Sequence, residues 1–144
     1  MLVKNSKICN NQWLHLETEV IPDNGWVTLP LERWVAEHKE FEDREDPVGV
    51  RLLPESDFTQ IENNLDQLQL IVIEFPVLAD GRVFSFAKIL RRKGYQGEIR
   101  AIGNFLTDQM YYLQHVGVDS FELPDTVSEP AIQQTLERFS VRYQ

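Results

Sequence analysis

The residues best suited to chemistry are Asp80, Gly81, Arg82 and Ser85, which follow the apolar run LIVIEF (70–75) and lead into a stretch ending in Arg91, Arg92 and Lys93. Asp80 suits a helix N-cap, whose carboxylate accepts backbone N–H bonds, and Gly81 suits a tight turn. The same residues also make an anion site. Free N–H groups at a helix amino terminus, a guanidinium and a hydroxyl can converge on sulfite, sulfate, phosphate or a carboxylate. Asn104, Asp108 and Gln109 offer a parallel loop one strand later. The three cations at 91–93 are explained without a ligand, because a helix carboxyl end favours positive charge.

Other chemistries lack their residues. His15, His38 and His115 lie in unrelated segments, and no HxH, HExxH or CxxC spacing offers a metal site. The sequence has no GxSxG elbow, P-loop or GxGxxG, and no motif identifies a cofactor. Glu74 and Glu122 could serve as acid and base only if one cavity holds both. Cys9, the single cysteine, permits no internal disulfide. A net charge of −9 opposes the attraction that governs nucleic-acid binding, so no nucleic-acid partner is expected. No run of about 20 apolar residues offers a membrane span, and the start MLVKNSKICNNQW lacks the apolar core of a secretory signal, so a cytoplasmic location is expected.

A chain of 144 residues, 42% of them apolar, is expected to form one domain around one core. Residues 47–144 read as four consecutive βα units. Strands are expected at 48–53, 70–75, 98–103 and 120–123. Helical spacing follows in Phe58, Ile61 and Leu65; in Val83, Ala87 and Leu90; in Leu106, Met110 and Leu113; and in Ile132, Leu136 and Phe139. Asp57, Asp80, Asn104 and Ser128 suit N-caps, Pro130 a first turn, and Gly94 and Gly117 C′ positions. Residues 1–46 read as an extension: a β-hairpin of QWLHLE (12–17) and GWVTLP (25–30) around PDNG, then a short helix with Leu31, Trp34 and Val35 on one side. The charged segment 37–47 reads as a helix end running into a solvated linker.

Each strand has two faces. Val48, Val50, Leu52, Ile71, Ile73, Phe75, Ile99, Ala101, Gly103, Phe121 and Leu123 define one without a polar side chain, whereas the other carries charge on every strand, in Arg51, Glu74, Glu98, Arg100 and Glu122, with Ser120 beside them. This one-sided pattern predicts an α/β fold with a parallel, half-barrel-like sheet and all four helices on one face, since a doubly wound sheet would be apolar on both. In strand order 1-2-3-4, Arg51, Glu74, Arg100 and Glu122 alternate in sign as a row and are expected to pair laterally, either as structural ion pairs or as a polar surface for an anion or partner. The segment bearing Trp13, Trp26 and Trp34, or a second copy in a homodimer, is expected to cover part of that face.

The segment 75–122 also carries a dense motif: Phe75-Pro76, Asp80-Gly81-Arg82, Ser85 and Ala87; Gly94, Gly97-Glu98-Ile99-Arg100-Ala101 and Gly103; Asp108-Gln109; and Gly117-Val118-Asp119 with Phe121-Glu122. It resembles a family of small bacterial proteins of unknown function labelled as oxidoreductases of sulfite reduction. Val83-Phe84 stands where Gly-Tyr is usual, Ile99 for Leu, Val118 for Phe, and Asn104 for Asp, so position 104 brings an amide rather than a carboxylate. The resemblance implies an accessory protein of assimilatory sulfite reduction that binds sulfite reductase or a small anion. The alternative it implies is a cofactor-binding oxidoreductase using the same strand-end pocket. LIVIEFP and VGVDSFELPD are also similar to response-regulator receiver domains. The paired acidic residues, the strand-end Thr or Ser, and the lysine expected where Pro124 stands are missing, so the likeness is one of strand-helix architecture.

Overall fold

The computed structural model describes residues 1–75, 81–103, 107–124, 128–134 and 137, with backbone alone at 81–83, 107 and 108. The strands are β1 (Leu2–Lys4), β2 (Lys7–Cys9), β3 (Trp13–His15), β4 (Trp26–Pro30), β5 (Val48–Leu52), β6 (Leu70–Phe75), β7 (Glu98–Gly103) and β8 (Ser120–Glu122). They form one eight-stranded sheet in the order β2-β1-β8-β7-β6-β5-β4-β3. From β3 to β8 every neighbouring pair is parallel, while β1 and β2 add antiparallel at one edge. The central β5-β6-β7-β8 order is the consecutive one that the repeated units predict.

The face assignment follows from register. Val50, Ile71 and Ile99 are cross-strand partners, as are Leu52, Ile73 and Ala101. These join Phe86, Ala87 and Leu90 of α2 (Gly81–Arg92), Met110 and Leu113 of α3 (Thr107–His115), and Ile132 in one apolar cluster. Ser128 caps the final helical stretch, accepting from Ala131 N at 3.3 Å. Gly94 and Gly117 take the positive φ expected of helix-ending residues. Leu136 and Phe139 lie outside the described residues, as do the N-caps proposed at 80 and 104.

Several local expectations are corrected. QWLHLE and GWVTLP do not form a hairpin: β3 and β4 pair parallel, Trp13 beside Trp26 and His15 beside Thr28. The strand stops at His15, so residues 16–25 carry the chain back to the starting end, where a hairpin would turn it at once. This crossover is held by arginines, with Arg51 Nη2 donating to Leu16 O and Arg44 to the carbonyls of Pro22, Asp23 and Gly25. The real hairpin is β1-β2, turned by Asn5 and Ser6, both at positive φ (53° and 63°), as a primed turn requires.

The first unit also lacks its α-helix. Asp57 caps as expected, its carboxylate accepting from Thr59 N at 3.0 Å, but residues 58–60 and 62–67 form 3-10 turns. Asn64 breaks the helical path with φ −126°, in a stretch of Thr, Asn and Asp that favours local side-chain bonds over helix. Ile61 and Leu65 still reach the core. In α1 (Leu31–Glu37), Pro30 precedes the helix rather than opening it, and Val35 is exposed while Leu31 and Trp34 are buried. Residues 38–41 of the expected linker form a further 3-10 turn.

Candidate functional site

Arg51, Glu74, Arg100 and Glu122 do share the polar face, but not as one row. Arg51 and Arg100 both sit beside Val72, whereas Glu74 lies two residues further along β6, beside Ile102. Parallel register staggers the charges, so they pair diagonally. Arg51 Nε lies 3.5 Å from Glu74 Oε1, and Arg100 Nη1 donates to Glu122 Oε1 at 2.7 Å.

The sheet curls around these groups, and the segment between β2 and β3 straps the hollow. Asn11 Oδ1 accepts from Arg100 Nη1 at 3.0 Å, while its Nδ2 donates to Glu122 at 2.9 Å. His15, on one edge strand, reaches across to Glu122 on β8, with Nε2 2.9 and 3.0 Å from the two carboxylate oxygens. Its Nδ1 lies 2.6 Å from Thr28 Oγ1, which accepts from Arg51 Nη1 at 2.8 Å. A guanidinium only donates, so the single Thr28 proton is free for His15 Nδ1. In the neutral ring this fixes the proton on Nε2, where it meets Glu122.

At the other side Glu98 gathers Lys4 Nζ at 2.6 Å, Arg100 Nη2 at 2.8 Å and the Ser120 hydroxyl at 2.7 Å. Arg51 Nη2 also donates to Glu17 Oε1 at 2.6 Å. The result is a continuous network of three cations, four carboxylates and His15 around two almost fully buried guanidiniums. Arg51 is 4% exposed and Arg100 2%.

The carboxylates respond differently. Burial pushes Glu122 up, but the hydrogen bonds and charges of His15 and Arg100 prevail and hold it down at about 2. Burial also opposes the charge on Glu98, and bonds from Lys4, Ser120 and Arg100 again prevail, lowering it. At Glu74 burial prevails over Arg51, with the Glu17 charge adding to it, and the carboxyl is raised. A Glu-His-Thr chain resembles a nucleophile triad in outline, but Thr28 is fully buried and its hydroxyl is committed on both sides. It orders the interior and offers no attacking oxygen.

The strand-end residues divide by what is described. Asp80 and Asn104 lie outside the described residues, and Gly81, Arg82 and Asp108 are described by backbone only. Ser85 is on the exposed side of α2 and Gln109 is half-buried in α3. The chain reaches these segments from one place, since Phe75 and Gly103, the last residues of β6 and β7, are register partners. Gly103 has φ +102°, and a Cβ there would run into the Phe75 carbonyl oxygen. Only glycine lets both strand ends leave so close together. The sequence reading missed Asn11, His15, Glu17, Thr28, Lys4 and Ser120 as network members. Thr28 inside the otherwise apolar WVTLP was the available signal.

At the far end of α2, Arg91 is not merely a dipole partner. It donates to the carbonyls of Tyr95, Gly97 and Gly117 and to Asp119 Oδ2 at 2.6 Å, tying α2 to the entries of β7 and β8. Asp119 Oδ2 also accepts from Ile99 N at 2.9 Å, so this motif aspartate is a clamp.

Together these features define an α/β half-barrel whose charged hollow is closed by its own amino-terminal strap. A family model described as "Bacterial protein of unknown function (DUF934)" matches residues 49–144, and the chain belongs to that family. No curated protein matches the chain. Among the described residues no helix is long and apolar enough to cross a membrane, and no group of His, Cys, Asp and Glu is arranged to hold a metal ion.

Proposed function

We propose that the chain is an accessory protein of assimilatory sulfite reduction, and that it acts by binding sulfite reductase or a small anion at the carboxyl ends of β6 and β7. The observation that carries this reading is the Phe75–Gly103 pairing, which brings the last residues of β6 and β7 together ahead of the Asp80-Gly81-Arg82 and Asn104 stretches of the sequence. Open α/β sheets bind ligands outside the carboxyl ends of their strands. Phe75, Gly103 and the Asp80-Gly81-Arg82 stretch belong to the motif of the family resemblance. The hollow supports the assignment by contrast, because Arg51 and Arg100 already spend their donors on the chain's own oxygens.

Affinity capture with the tagged chain tests the reading. Sulfite reductase is expected to be retained by the wild type and released by Arg82→Glu, with the circular dichroism of the two proteins unchanged. If calorimetry detects neither the reductase nor sulfite, sulfate or phosphate, the reading fails. A flavin or haem absorption band in the purified protein would favour the oxidoreductase alternative.

A further inference from the structure

At the opposite end of the strands, beside the starts of β5 and β6, lies a cavity of about 310 Å³. Its walls come from the amino-terminal extension and from Gln67 and Gln69. Liquid water occupies about 30 Å³ per molecule, so the space suits a compact organic ligand. Among the described residues, the buried side-chain atoms without a hydrogen-bond partner are His38 Nδ1 and Arg44 Nε. Both residues line this one cavity. An unmade bond at a buried polar atom is costly, so two at one place need an explanation.

The two side chains are otherwise fixed. The His38 ring stacks on Trp34 at 4.6 Å and 18°, and the Arg44 terminal nitrogens hold the carbonyls of Pro22, Asp23 and Gly25. Arg44 Nε–H can only donate, so a ligand that meets it must bring an acceptor oxygen. His38 can donate likewise in the tautomer with its proton on Nδ1. Both atoms are shielded from solvent, so contact with a ligand requires the wall side chains to move aside. Around them stand Glu42, Glu45 and Asp46, three carboxylates against one guanidinium. That balance repels a simple anion and attracts an ammonium.

We propose that this cavity binds a small zwitterion of the α-amino acid class, its carboxylate toward Arg44 and His38 and its ammonium toward Glu42 and Glu45. Most of the walls precede residue 49, so the site belongs to the extension rather than to the segment that the family model matches. It is independent of the strand-end binding proposed above.

The test is a titration of the full chain with each of the twenty protein amino acids, followed by NMR of the histidine rings. At least one is expected to bind with Kd below about 1 mM and to shift His38 while leaving His15 and His115 in place. The corresponding amine without its carboxylate, and the Glu42→Gln/Glu45→Gln double variant, are each expected to bind at least tenfold more weakly. Gln67→Trp, which adds bulk to the cavity wall, is expected to abolish the shift. The proposal is overturned if no amino acid moves the His38 resonances by about 10 mM. Equal binding of the bare amine, or undiminished binding by the folded double variant, overturns it as well.

Discussion

Glu122 and Glu74 face the same hollow with opposite electrostatic histories, and this makes the network testable one residue at a time. Glu122 is held at about 2, below its ordinary 4.5. Its contribution to stability is fully present above 4.5 and is lost as pH falls toward 2. Glu122→Gln is expected to cost about 2–3 kcal/mol at pH 7 in urea unfolding, leaving Arg100 short of a charge partner, and to converge on the wild type near pH 2. Glu74 is raised by burial, so its contribution is fully present below 4.5 and declines as pH rises through its raised value. Glu74→Gln is therefore expected to gain on the wild type between pH 4 and 7, by under about 1 kcal/mol. Strand alternation made all four sheet charges legible in the sequence as one face. It could not reveal His15, because the His15–Glu122 contact spans 107 residues and depends on the curl of the whole sheet.

Elements were legible where periodicity and caps agreed, and obscure where they did not. β5 through β8 carry clear strand alternation, and α2 and α3 carry apolar periods followed by Gly94 and Gly117. The 58–67 segment has the period but not the helix-forming residues, and its Asn and Asp side chains prevail over it. The hairpin was sought at PDNG, where the turn residues are strong; it forms at Asn5-Ser6, where they are weak but the strands on both sides are immediate. At the strand ends, Gly103→Ala is expected to cost more than about 2 kcal/mol, since it adds a clash with Phe75 O to the strain of positive φ. Gly94→Ala has φ +94° but open space around its Cβ, and is expected to cost about 1 kcal/mol. Paired urea titrations of the two variants separate the close approach from the backbone strain.

For the molecule as a whole, the half-barrel needs no second chain to cover its charges. The strap from Asn11 to Glu17 meets Arg51, Arg100 and Glu122 from within the same chain, the first of the two covers expected for that face. Under the proposed function, ionic order and recognition sit in different places, the first in the hollow and the second at the strand ends. The most direct test is an NMR titration of the isotopically labelled chain with unlabelled sulfite reductase, following the Arg51 and Arg100 Nε–H signals together with the backbone amides at the start of α2. The account predicts that the amides from Gly81 to Phe86 broaden or shift while both guanidinium signals stay in place. Movement of the Arg51 or Arg100 signals with the α2 amides unchanged would contradict it.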